Sequence, residues 1–123
     1  MEKKRILIID DEKGFTKLVK LNLEQTGNYE VIVENEGKKS FDTAKRIRPD
    51  LILLDIMMPE MDGTVVAQMI KADNTLEETP VVFLTSIVKE DEISSRGDNI
   101  GGYPFIAKSV NFEKLIEIIE RHI

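Results

Sequence analysis

Cysteine and tryptophan are absent from this 123-residue chain, and histidine occurs once. Without cysteine there is no disulfide, no thiolate nucleophile and no cysteine-ligated zinc, a usage that fits a reducing compartment. The single histidine, His122, stands next to the C-terminal residue, a poor place for a catalytic base or a relay histidine. No apolar run approaches the ~20 residues that span a bilayer. The opening MEKKRILIIDDEKG lacks the apolar core and small-residue cleavage site of a signal peptide. Basic blocks are missing too, and the net charge is −6, so direct binding of nucleic acid is not expected. What remains is 41% hydrophobic and 33% charged, the composition of a soluble globular protein. At this length one domain is expected, read as residues 1–123 with no output domain within it. The expected setting is cytoplasmic, with no membrane partner.

Short apolar runs of strand length alternate with amphipathic segments of helix length. The runs are Ile6–Ile9, Val31–Val33, Leu51–Leu54, Val81–Leu84 and, weakest, Phe105–Ala107. Between the first two, a helix is predicted with Phe15, Leu18, Val19 and Leu23 inward and Gly27 as its stop. A second runs from about Gly37 to Ile47 with Phe41, Ala44 and Ile47 inward, and a third follows Gly63 with Val65, Val66, Met69 and Ile70. The last carries Phe112, Leu115, Ile116 and Ile119 behind an Asn111 N-cap. The interval SIVKEDEISSRGDNIGGYP has few apolar positions, and a short, loosely packed helix followed by a glycine-containing loop is expected there. This alternation predicts an α/β fold, an open doubly wound parallel sheet with helices on both faces. In such sheets ligands bind beyond the carboxyl ends of the strands, so the last residue of each strand deserves scrutiny.

Strand one runs into Asp10-Asp11, strand three into Asp55, strand four into Thr85-Ser86 and strand five into Lys108. Each has an ordinary reading alone: a helix cap for either aspartate of the pair, a turn residue before Pro59 for Asp55, a strand residue for Thr85, a solvated charge for Lys108. At one end of one sheet they form a chemical set. Three carboxylates within about 5 Å of one another repel by roughly 3 kcal/mol per pair at an effective dielectric near 20. Lys108 offsets part of this, and a hard divalent cation with oxygen ligands, Mg²⁺, suits the rest. Asp55 ends the central, most buried run and is the best-placed nucleophile toward phosphorus, through an aspartyl phosphate. A lysine ammonium and a threonine hydroxyl are the groups that would meet the phosphoryl oxygens.

In order and spacing, ILIIDDEKGF, PDLILLDIMMPEMDG, PVVFLTS and FIAKS resemble the receiver domain of bacterial two-component response regulators. The resemblance covers essentially the whole chain. It implies the flavodoxin-like strand order 2-1-3-4-5 and a phosphoacceptor signalling switch. By resemblance, Asp55 takes a phosphoryl group from a histidine kinase or phosphotransfer protein, and Mg²⁺ is held by Asp10, Asp11, Asp55 and the backbone carbonyl of Met57. Thr85 and Lys108 meet the phosphate, and Thr85 and Phe105 act as the switch pair. Phe105, three residues before the lysine, is in register for that role, and Tyr103 is not. The only catalysis implied is self-catalysed phosphoryl transfer to, and hydrolysis from, the chain's own aspartate. A downstream protein target and a phosphorylation-linked dimer are compatible with this reading.

Three positions depart from the family's pattern. Ser109 stands where proline usually follows the lysine, Ser86 where alanine is commonest, and RGDNIGGYP replaces the usual lead into strand five. The lysine–proline bond of the family is commonly cis. Without proline a cis bond costs about 3–4 kcal/mol rather than about 0.5–1, so a trans Lys108–Ser109 bond is expected. Two rival functions stand beside the switch. One is a receiver-like protein-interaction module working without phosphorylation, which the altered strand-five region favours. The other is a Mg²⁺-dependent phosphohydrolase, against which the loop after strand one reads Asp10-Asp11 rather than Asp-x-Asp, with no cap insertion to form a substrate pocket.

Overall fold

The computed structural model describes residues 2–86, 99–100 and 102–123. Five parallel strands, β1 (Lys4–Ile9), β2 (Tyr29–Glu34), β3 (Leu51–Asp55), β4 (Val81–Thr85) and β5 (Tyr103–Ala107), stand in the order β2-β1-β3-β4-β5. This is the expected doubly wound, flavodoxin-like order. A two-residue strand, Asn99–Ile100, adds to the far side of β5 in antiparallel sense. The helices are α1 (Lys13–Gln25), α2 (Ser40–Ile47), α3 (Gly63–Ala72) and α4 (Phe112–His122). The short helix expected in the interval before β5 falls on residues 87–98, which lie outside the described residues, as does Gly101.

Burial of every residue of β3 follows from helices on both faces of the sheet. Ile52 and Leu54 join Ala44, Val66, Ala67 and Ile70 from α2 and α3 in one core. Leu51 and Leu53 face the other core, with Val19 and Leu23 of α1 and Leu115 and Ile119 of α4. Each such aliphatic side chain contributes about 1.5–3 kcal/mol by leaving water.

Helix ends follow local chemistry. α1 stops where Gly27 takes φ +79°, conformationally cheap only for glycine, and its N–H bonds to Glu24 O at 3.1 Å. The Asp62 side chain caps α3 by accepting from Thr64 N at 2.8 Å, and Asn111 caps α4 by accepting from Lys114 N at 2.8 Å. Along α1, Lys20 Nζ donates to Val31 O at 2.6 Å, and Glu24 Oε2 accepts from Val31 N at 3.1 Å. The predicted helix near Gly37 is a 3₁₀ turn, Gly37–Lys39, leading into α2.

Leu18, Val65 and Met69, expected inward, are exposed. Neighbouring residues on a helix point about 100° apart, so the sheet accepts Val19, Val66 and Ile70 and leaves the adjacent apolar residues on the flank.

One glycine governs the path of the chain at the sheet's carboxyl end. Beyond Asp55 the chain forms a small antiparallel ladder, Met57–Met58 against Met61–Asp62, and Gly63 N returns to Ile56 O at 2.8 Å. A Cβ on Gly63 would collide with the Asp55 carbonyl oxygen and lie 2.8 Å from Ile56 Cα. Gly14, near the start of α1, has open space around it. Gly63→Ala is therefore expected to lower stability by at least about 2 kcal/mol, whereas Gly14→Ala is expected to raise it by up to about 1 kcal/mol. Urea denaturation of the two variants checks both signs.

Candidate functional site

All five parallel strands end on the same edge; β1 and β3 are paired up to Ile9 and Leu54, and backbone bonds just beyond the strands join the other neighbours. Asp10 N bonds to Glu34 O at 3.1 Å, Ile56 N to Leu84 O at 3.3 Å, and Lys108 N to Thr85 O at 2.9 Å. In register, Asp55 lies beside Leu84 and Thr85 beside Ala107. The edge is thus set by backbone pairing before any side chain is considered.

Asp10, Asp11 and Asp55 each present a carboxylate oxygen within 4.8 Å of the others, with Asp10 and Asp55 buried. Asp10 is held from two sides: its Oδ1 accepts from Glu12 N at 2.9 Å, and Asn35 Nδ2 donates to its carbonyl oxygen at 2.7 Å while also meeting Thr16 Oγ1 at 3.0 Å. Asp55 Oδ1 accepts from Met57 N at 3.3 Å, so the side chain is turned toward its own following loop. Lys108 Nζ lies 2.7 Å from Asp10 Oδ2, 2.7 Å from Glu12 Oε1 and 3.6 Å from Asp55 Oδ2, with its side chain 9% exposed. The Phe15 ring centroid lies 5.0 Å from the same ammonium.

The titration properties follow from this crowding. Burial pushes the Asp55 carboxyl up to about 7, helped by the neighbouring charge of Asp10 and opposed by Lys108. Burial also raises Asp10 above the usual carboxylate range, although Lys108 pulls the other way. For Lys108 burial works against the charge, but its contacts with Asp10 and Glu12 win, and its pKa rises. Among the described residues, Lys108 pairs with three carboxylates, Asp10, Glu12 and Asp55, and a fourth, Asp11, lies beside Asp10 and Asp55. Asp10 Oδ2 is buried, with the Lys108 ammonium 2.7 Å away as its close partner. An all-oxygen set with two buried members and unbalanced negative charge fits a hard divalent cation such as Mg²⁺.

The expected residues fall as follows. Asp10, Asp11, Asp55 and Lys108 converge at the strand ends. Thr85 is buried at the end of β4, and Phe105 is buried in β5 opposite Phe83. Tyr103 packs edge-on against Phe83 with centroids 5.3 Å apart. Met57 is exposed beside the site. No described peptide bond is cis, so Lys108–Ser109 is trans, and Lys108 nevertheless reaches Asp10 and Asp55. Sequence reasoning missed Glu12 and Gly63. The first stands directly after the acidic pair, and the second closes the stretch PDLILLDIMMPEMDG, so both were within the motifs that drew attention.

Fold and pocket together define a small α/β domain built around an acidic, lysine-bridged site at the strand ends. The chain belongs to the response regulator receiver domain family, whose profile matches residues 6–120. It is 34% identical over 121 residues to the polar-differentiation response regulator DivK of Brucella anthropi, covering 98% of this chain and 96% of that protein. It is 36% identical over 113 residues to the DNA-binding dual master transcriptional regulator RpaA of a Synechocystis strain, covering 91% of this chain but 46% of RpaA. The chain therefore spans about half the length of that relative and nearly all of the other. Among solved structures, the BeF3-activated N-terminal receiver domain of Klebsiella pneumoniae RstA superposes with TM-score 0.80 at 27% identity, covering 96% of this chain and 97% of that one. The Vibrio cholerae chemotaxis protein CheY4, at TM-score 0.83 and 24% identity over 99% and 100% of the two chains, is alike in fold.

A carboxyl whose folded pKa lies near 7, above the ordinary 3.8, binds its proton more tightly in the folded than in the unfolded chain. The metal-free protein should therefore lose stability as pH rises from about 4 to about 7. Asp55→Asn removes that loss. In chelator near pH 8 the variant should melt about 5 °C or more above wild type, with the gap closing below about pH 4. Thermal melts across pH check this, and millimolar Mg²⁺ should narrow the gap at high pH by stabilising wild type.

Proposed function

We propose that this chain is a phosphoacceptor signalling switch, a single receiver unit over residues 1–123 that takes a phosphoryl group from a histidine kinase or phosphotransfer protein onto Asp55. The observation that carries this reading is Asp55 itself: a carboxylate buried at the tip of the central strand, within 4.8 Å of two others and 3.6 Å from a lysine ammonium. A carboxylate so destabilised by burial has a use for positive partners. Asp10, Asp11, Asp55 and the carbonyl of Met57 would hold Mg²⁺, which when bound neutralises charge on the cluster and on the phosphoryl oxygens.

In this mechanism a carboxylate oxygen of Asp55 forms the new bond to phosphorus as the phosphorus–nitrogen bond of the donor breaks, the electron pair leaving with the imidazole. Lys108 offers its ammonium to one phosphoryl oxygen and Thr85 its hydroxyl to another. Contacts that the phosphorylated form makes better in one arrangement of the ends of β4 and β5 shift the population toward it. Thr85 and Phe105, buried on adjacent strands, are the residues through which that shift would pass to the surface. The chain's only catalysis is then on its own aspartate, the setting is cytoplasmic, and the output is an altered face for a downstream protein or a second copy.

Incubation with acetyl phosphate and Mg²⁺ followed by intact-mass measurement tests the reading. Wild type should gain one phosphate only with Mg²⁺ present, and Asp55→Asn none. Equal labelling of both proteins would remove Asp55 from its role. No labelling of either would favour an interaction module that works without phosphate.

A further inference from the structure

Glu12 is the N-cap residue of α1, yet its side chain makes no capping bond to the helix amides. It turns instead to Lys108 Nζ, 2.7 Å away. An ammonium has three N–H donors. Asp10 and Glu12 take the two short contacts, while Asp55 Oδ2, at 3.6 Å, is beyond hydrogen-bond reach. The two short contacts of the lysine are therefore with groups other than the proposed phosphoacceptor, to which it keeps only the longer ion pair.

The two short partners are not equivalent. Asp10 belongs to the cluster of three carboxylates suited to a cation, so a cation bound there would weaken its hold on the lysine. Glu12 lies outside that cluster, and its side chain is 59% exposed. A cation filling the cluster would leave the contact between Glu12 and Lys108 in place. We propose that Glu12 is a positioning residue, a tether that holds Lys108 in the unphosphorylated form and competes with the phosphoryl group for its ammonium. This rests on the phosphoacceptor reading above. Its consequence is that the third residue of the Asp10-Asp11-Glu12 run sets how readily the site accepts an anion, without touching metal or phosphate.

The test uses trifluoroberyllate, a phosphoryl mimic formed from beryllium and fluoride, at saturating Mg²⁺. Its affinity is measured for wild type, Glu12→Gln, Lys108→Met and the double variant. Removing the tether should tighten binding about two- to fivefold, the scale of one partly exposed ion pair. In the Lys108→Met background the same substitution should leave affinity unchanged. An equal gain in both backgrounds would mean that Glu12 acts only as a general negative charge, and an unchanged or weaker affinity in the first would mean that it does not compete; either overturns the tether. A second measurement needs no anion: in metal-free protein, Glu12→Gln should shift the side-chain ammonium resonance of Lys108 and leave that of Lys114 in place. An unmoved Lys108 signal refutes the ion pair. If wild type shifts Lys108 on Glu12→Gln but binds no trifluoroberyllate, the phosphoacceptor reading has failed and the competition with it, although the ion pair stands.

Discussion

Two buried carboxylates with a third beside them, and among the described residues one ammonium paired with the buried two, set the terms for the rest of this molecule. Taking such groups out of water costs several kcal/mol each, and attraction to a single lysine recovers part of it. The cost appears in Asp55, whose carboxyl is held near 7, and in Asp10, whose carboxyl burial likewise raises above the usual range. A fold selected for stability alone would place leucine at the tip of β3. The site is better understood as a deficit of positive charge built into a strong core, with Leu51 to Leu54 supplying the burial that Asp55 spends.

The backbone makes that deficit tolerable. Parallel pairing brings the strand ends to one level, and the amide bonds of Asp10, Ile56 and Lys108 to neighbouring strands fix the spacing between the charged side chains. Asn35 ties the carbonyl of Asp10 to α1 through Thr16, so the acidic loop cannot relax outward without breaking or dragging that link. On the far side, Gly63 allows α3 to start in contact with the Asp55 carbonyl. Lys108 reaches the same centre through a trans peptide. The reach of a lysine stem, and the backbone bond to Thr85 at its base, suffice to aim it.

Much of this was legible in the sequence because the two signals involved are strong. Strands buried on both faces read as continuous apolar runs, and the charged or hydroxyl residue ending each run stands out against them. The strand order came from the likeness of the motifs, since periodicity alone does not distinguish neighbours in a sheet. Helix faces were read too widely: Leu18, Val65 and Met69 are apolar at nearly the right spacing, but only the three-dimensional contact shows that the sheet stops one residue short of them. Glu12 was passed over for a different reason. Its partner lies 96 residues away, and nothing local distinguishes a glutamate that grips a lysine from one that faces water.

The pairing of Lys20 and Glu24 with the backbone of Val31 bears on association. β2 is the outermost strand on its side of the sheet, and Val31 sits midway along it. An unpaired outer strand is a template on which another chain can continue the ladder. Here the amide and carbonyl at its midpoint are already satisfied by a carboxylate and an ammonium one turn apart on α1. The other margin is covered by Asn99–Ile100. Charged side chains laid over the rim thus end the sheet at β2, leaving helices and loops rather than a bare strand edge as the surface on that side.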